Sequence, residues 1–198
     1  MLLHNKLQDY KIILASASPR RKELLSGLGL EFDIYKIDCD ESYDSSLPIE
    51  NIASYIAQKK ASFYPNTLSD NEILITADTI VVCDAAVIGK PKDKEDAIKM
   101  LHLLSGKTHR VITGVTINTS SKSHGFSCTT EVTFDQLSEQ EILYYIEKYK
   151  PYDKAGSYGI QEWIGFVGIT GIKGSYYNVM GLPIQLLYKE LDKFCDIK

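Results

Sequence analysis

The sequence predicts a mixed α/β fold. Short apolar runs of strand length recur along the whole chain, and segments with a helical apolar stripe are interleaved with them. No repeat, low-complexity tract or long linker interrupts the pattern, so residues 1–198 read as one domain. The first element is Ile12-Ile13-Leu14, a buried strand. Ser18 then caps a helix with Pro19 at its first position, and Leu24, Leu25 and Leu28 share one side of it. Pro48 to Phe63 follows as a helix burying Ile49, Ile52, Ala53, Ile56 and Phe63. Glu72 to Val82 is an apolar strand. Asp93, with Asp96 three residues on, starts a helix whose stripe is Ala97, Met100, Leu101 and Leu104, and Gly106 stops it.

Arg110 to Asn118 and Phe126 to Phe134 are rich in Val, Ile, Thr and Phe and read as strands, with Thr119 to Gly125 as the turn between them. Ser138-Glu139-Gln140-Glu141 is a capping box, with Leu137 placed to staple onto Ile142, so a helix runs to about Tyr149. From Tyr152 to Tyr177 six glycines signal turns and close backbone approaches, while Trp163, Phe166, Val167 and Ile169 call for burial. Pro183 opens a last helix carrying Leu186, Leu187 and Leu191. At least five strands are expected.

Composition narrows the function. A net charge of −4 argues against a general nucleic-acid binder, which carries a basic excess. No apolar run reaches the ~20 residues of a membrane span, and Met1 to Lys11 has no apolar core of a secretory signal. A soluble, cytoplasmic protein is expected. Cys39, Cys83, Cys128 and Cys195 form no CxxC pair and read as buried free thiols. The four histidines never fall at the i, i+4 spacing of a helical metal pair. Ser105-Gly106-Lys107-Thr108 imitates the end of a phosphate-binding P-loop, but Leu101 stands where its first glycine belongs, and a helix precedes it.

The chemistry concentrates elsewhere. In Ala15-Ser16-Ala17-Ser18-Pro19-Arg20-Arg21 a strand turns directly into a helix, leaving backbone N–H groups exposed at the helix start. Arginines there are disfavoured by the helix dipole unless an anion binds, so the turn is a candidate phosphate cradle. Asp78 interrupts the aliphatic run Ile73–Val82, where a lone carboxylate is costly unless it meets a cation, a metal or solvent. Lys60 lies at the edge of its helix's apolar face, and Lys90 sits in the stiff turn Gly89-Lys90-Pro91. Both are also compatible with ordinary solvated lysines. Asp38, Asp40 and Glu41 form an acidic loop that Asp78 could face, a donor set suited to Mg²⁺ or Mn²⁺.

In order and spacing these pieces resemble the Maf family. The match rests on Ser16-Ala17-Ser18-Pro19-Arg20-Arg21, Asp40-Glu41, Lys59-Lys60-Ala61, Ala77-Asp78-Thr79 and Gly89-Lys90-Pro91. It continues through Leu104–His109, Asp153-Lys154-Ala155-Gly156-Ser157-Tyr158-Gly159-Ile160-Gln161 and Val179–Pro183. The resemblance implies an elongated mixed sheet flanked by helices, in two lobes around a cleft, related to inosine triphosphate pyrophosphatases. It implies a nucleoside triphosphate pyrophosphatase that releases pyrophosphate and the monophosphate, dependent on a divalent metal, and a homodimer. Ser16, Arg20 and Lys90 would hold the triphosphate, with Lys60 beside them. Glu41 would bind metal, and Asp78 would bind metal or act as base. Arg21, Thr79 and Gln161 match the branch that prefers dTTP and UTP, and a Gln side chain offers both donor and acceptor to a uracil or thymine imide. Two rivals are an inosine/xanthosine triphosphate pyrophosphatase and a non-catalytic regulator of septum formation and cell division.

Overall fold

A computed structural model describes residues 2–196, with side chains as far as residue 194. In chain order the elements are helix α1 (Leu3–Lys6), strand β1 (Lys11–Ala15), α2 (Pro19–Ser26), β2 (Phe32–Tyr35), α3 (Ile49–Ser62) and β3 (Glu72–Cys83). There follow β4 (Ala86–Ile88), α4 (Lys94–Leu104), β5 (Thr108–Asn118), β6 (Ser123–Phe134), α5 (Glu139–Tyr149) and α6 (Trp163–Gly168). The chain closes with β7 (Ile169–Lys173), α7 (Tyr176–Met180) and α8 (Ile184–Asp196). Among the described residues the strands form one mixed seven-stranded sheet in the order β2-β1-β3-β5-β6-β7, with β4 added to β3. β1 runs parallel to both β2 and β3, whereas β4 on β3 and β7 on β6 are antiparallel.

The chain divides into two compact units. The first runs to Asp78 and takes in Thr113–Cys128 and everything from Gly181; the second comprises Thr79–Ile112 and Thr129–Met180. In the first, β1 and β3 are buried on both faces, as continuous aliphatic runs require, whereas the edge strand β2 is partly exposed. Ile13, Ala15 and Leu74 form a cluster against which Tyr35, Ile37, Ala61, Tyr64 and Leu68 pack. Two further contacts set the height and depth of α3 on the sheet. The buried Thr76 hydroxyl donates to the Ala57 carbonyl at 2.7 Å. Gly114 lies so close to the helix backbone that a Cβ there would come within 2.3 Å of the Ser54 nitrogen.

In the second unit Phe134, Tyr158 and His109 pack ring against ring, with centroids 5.1–5.5 Å apart. The α5 capping box forms in full, with Ser138 and Glu141 satisfying one another's backbone N–H groups. Asp93 accepts from the Asp96 N–H, but Asp96 reaches back to the N–H of Lys92 and not to that of the cap.

Several expectations need correction. The segment before Lys11, to which the sequence assigns no element, is packed: α1 buries Leu3, Leu7 at its C-cap is buried as well, and Lys6 pairs with Asp192 at 2.7 Å. Leu28 falls beyond α2, whose last helical residue is Ser26. Phe63 caps α3 with half its surface exposed, because the helix ends before its stripe returns to the core. β6 begins at Ser123, inside the expected turn. In the glycine-rich segment Ile164 is buried, whereas Phe166 is 80% and Val167 45% exposed, since α6 is one short turn with a single inward face. Cys83 is buried, Cys39 and Cys128 are half-buried, and the Cys195 side chain lies outside the described residues. Among those residues no helix is long and apolar enough to cross a membrane.

Candidate functional site

β1 ends at Ala15, and the backbone turns at once into α2. The Ser16 hydroxyl accepts from the Ser18 N–H at 3.2 Å, and the Ser18 hydroxyl accepts the Arg21 N–H at 3.5 Å, so two serines wind the turn from within. Ser16 is buried and Arg20 half-buried. Arg21 is tied inward: its Nε donates to the Gly181 carbonyl at 2.7 Å and a terminal nitrogen to the Ala77 carbonyl at 2.8 Å. Burial pulls its pKa below the ordinary guanidinium value; the Asp78 carboxylate acts the other way and Arg20 adds to the lowering. The guanidinium fork thus holds the main chain next to Asp78.

The charged centre of the first unit is Lys60. Its Nζ lies 2.6 Å from Asp78 Oδ1 and 2.8 Å from Glu41 Oε1, with the lysine and aspartate side chains about nine-tenths buried and the glutamate 40% exposed. The sequence builds this pair through two periodicities. Thr76 and Asp78 are two residues apart on β3 and therefore share a face; Ala57 and Lys60 are one turn apart on α3. Once Thr76 bonds Ala57, Lys60 arrives beside Asp78. Lys59 reaches the same acidic loop, donating to the Ser42 carbonyl at 2.9 Å and lying 3.5 Å from Asp40 Oδ2. Both lysines occupy the last turn of α3, where the helix dipole favours cations.

The structure therefore sorts the acidic loop. Glu41 joins Asp78 on Lys60, whereas Asp40 turns to the Ser42 backbone and hydroxyl and to Lys59, which hold its pKa below the usual carboxylate range. Asp38 is exposed. Among the described residues no three His, Cys, Asp or Glu side chains gather as a ligand set. What remains is two carboxylates that meet on the Lys60 ammonium, oxygen donors of the kind a hard, partly hydrated ion takes.

In the second unit Thr79 follows Asp78 directly and is half-buried. Lys90 is exposed in the turn after β4, and that turn is tied down by the Gly156 N–H on the Gly89 carbonyl at 3.0 Å. Gln161 lies between β6-side helix α5 and α6 in chain order, with its Oε1 buried and without a hydrogen-bond partner among the described residues. Sequence reasoning missed Thr76 and Gly114, and quoted Lys59 in its motif without giving it a role. The available signals were a hydroxyl in an aliphatic strand, a glycine inside a β run and the doubled lysine.

Fold and site define an α/β protein with a lysine-bridged pair of carboxylates beside an arginine-bearing turn. The chain belongs to the Maf family: the family model described as "Maf-like protein" matches residues 11–194. It is 59% identical over 188 residues to a dTTP/UTP pyrophosphatase of Phocaeicola vulgatus, covering 94% of this chain and 97% of that one. It is 56% identical to the protein of the same name from Parabacteroides distasonis, covering 95% and 98%. With the Porphyromonas gingivalis protein so named it shares 52% identity over 96% and 97%. Among solved structures the Staphylococcus aureus Ham1 protein aligns over 93% of this chain and 99% of its own, at 14% identity and a TM-score of 0.49, a likeness too distant to carry an argument.

Proposed function

We propose that this protein hydrolyses dTTP and UTP between the α and β phosphates, releasing pyrophosphate and the monophosphate. The observation that carries the reading is the Glu41–Lys60–Asp78 cluster, held by the packing of α3 on β3 and β5. The names and high identity of the relatives support the reaction and the pyrimidine preference. Glu41 and Asp78 would hold a divalent cation, Mg²⁺ or Mn²⁺, which when bound neutralises charge on phosphate oxygens. The hydroxyl of Ser16, together with Arg20, binds triphosphate oxygens at the start of α2. Lys60 adds a charge at the carboxylates, and Lys90 one at the phosphates. Asp78, with Oδ1 on Lys60, takes the proton of the attacking water. Arg21 keeps the strand carrying Asp78 in place, and Thr79 and Gln161 choose the base.

The test is a turnover panel with Mg²⁺ or Mn²⁺ against dTTP, UTP, CTP, GTP, 7-methyl-GTP and ITP, separating pyrophosphate from orthophosphate. Pyrophosphate chiefly from dTTP and UTP is expected. Release mainly from ITP or 7-methyl-GTP overturns the base assignment, and no turnover by folded protein overturns the reaction.

A further inference from the structure

Behind Gln161 lies a closed polar network for which the hydrolysis itself has no use. The Tyr145 side chain is fully buried on α5, and its hydroxyl donates a short hydrogen bond to Glu162 Oε2 while accepting the Gly159 N–H at 2.9 Å. The other Glu162 oxygen lies 3.1 Å from the ammonium of Lys154, which is 8% exposed and also meets Asp153 Oδ1 at 2.8 Å. Every member is satisfied, so the network is rigid where a half-satisfied one would not be. Burial, with the Glu162 carboxylate, drives the Tyr145 pKa far above its ordinary value, so the phenol stays a donor at any working pH.

The residues so held bracket Gln161 on both sides. The Glu162 N–H donates to the Gly159 carbonyl at 3.0 Å and the Gly165 N–H to the Glu162 carbonyl at 2.9 Å, winding the loop tightly. A Cβ on Gly159 would fall 3.1 Å from Gln161 Nε2 and 2.8 Å from Glu162 Cδ, so the carboxamide and the carboxylate share the face that this glycine leaves open. Gln161 Oε1 is buried with no donor. A buried acceptor of this kind is costly unless a ligand supplies an N–H. Uracil and thymine carry an N3–H beside the O4 acceptor; cytosine reverses that edge, with an acceptor at N3 and a donor at N4, so a carboxamide held in one orientation pairs with the imide edge and is mismatched to cytosine.

We propose that Tyr145, Glu162 and Lys154 are positioning residues that fix the Gln161 carboxamide and thereby set the preference for an imide base over cytosine. This deepens the pyrimidine reading above and rests on it. The experiment is calorimetric binding of α,β-methylene-UTP and α,β-methylene-CTP, with Mg²⁺, to the wild type, Tyr145→Phe and Glu162→Gln, alongside thermal melts and turnover of UTP. The expected result is a wild-type preference for the UTP analogue that falls in both variants by up to about tenfold, the worth of the Gln161–base hydrogen bond: Tyr145→Phe removes the phenol, and Glu162→Gln turns an amide NH2 toward either the phenol or the Lys154 ammonium. An unchanged ratio in both variants, with only the melts lowered, overturns the proposal and reduces the network to a buttress of the fold. Equal wild-type binding of the two analogues overturns it as well. A wild type that prefers the UTP analogue yet releases no pyrophosphate fails the assigned reaction alone, and the variants' binding ratios still decide the role of the network.

Discussion

Gly114→Ala puts the packing beneath the site to a quantitative test. The added methyl would meet the Ser54 nitrogen at 2.3 Å and the Ala53 carbonyl carbon and oxygen at 2.4 and 2.5 Å, where ordinary contact begins near 3.4 Å. α3 or β5 must therefore retreat by about 1 Å, and the obstructing atoms are main chain with no rotamer to yield. Overpacking of this kind costs about 1–3 kcal/mol, and the rigid obstruction places this case at the top of that range, ~3 kcal/mol. For a chain of this size that is a fall in Tm of about 6–12 °C. The matched control is Gly125→Ala on β6, where the nearest atom is 3.9 Å from the new Cβ, and its melt should stay within about 2 °C of wild type. Because Lys60 lies two turns along the displaced helix, turnover of UTP should fall as well. A Tm loss under about 2 °C in Gly114→Ala refutes the packing argument. A large Tm loss with turnover intact refutes the link from helix depth to the Lys60–Asp78 pair.

Lys60→Met leaves Asp78 nine-tenths buried beside Glu41 without the cation between them. Stability in metal-free buffer should fall by about 3 kcal/mol in denaturant unfolding, with part restored by Mg²⁺; no loss would mean that the pair is incidental. Ala85 occupies the left-handed region at φ 63° in the tight β3–β4 turn, beside Asp84 at φ 50°. Ala85→Gly should stabilise the protein by about 0.5–1 kcal/mol, read as a rise in Tm. His109 is buried against Phe134, with its Nε2 2.7 Å from the Tyr158 hydroxyl, and burial holds its pKa down from 6.5 to about 4. The unfolded chain binds that proton first, so stability is full above pH 6.5 and declines toward pH 4, by ~3 kcal/mol in all. The midpoint of denaturant unfolding should fall more steeply over this window in wild type than in His109→Gln; parallel curves would refute the assignment.

What the sequence disclosed depended on how local the determinant was. The caps of α2 and α5 were legible because Ser18-Pro19 and the Ser138–Glu141 box act within one turn, and the structure forms both. Asp78 stood out because a carboxylate in an aliphatic run has few physical excuses. Lys60 was singled out yet left ambiguous: an edge lysine looks the same whether it snorkels or pairs, and what brings it to Asp78 is packing between distant segments, marked by the Thr76–Ala57 bond. β2, β4 and β7 were missed because three to five residues give too short a period to count, and β2 and β7 stand at the two ends of the strand order. Gln161 could be named from its motif, but the atoms behind it come from Tyr145 and Lys154, which no local pattern connects.

The pairing of Thr76 with Ala57 also constrains how the length of this chain can drift. A residue inserted between Ala57 and Lys60 would rotate the lysine by about 100° around the helix, away from Asp78, while leaving composition and hydropathy unchanged. A deletion there would do the same in the opposite sense. The mostly exposed turn from Thr119 to Lys122, closed by a backbone hydrogen bond of 2.9 Å and with the Ser120 hydroxyl on Asp70, sets no helical phase. Insertions and deletions should therefore be tolerated at that turn and lethal to activity in the second half of α3, a contrast that a scan of single-residue insertions would register directly.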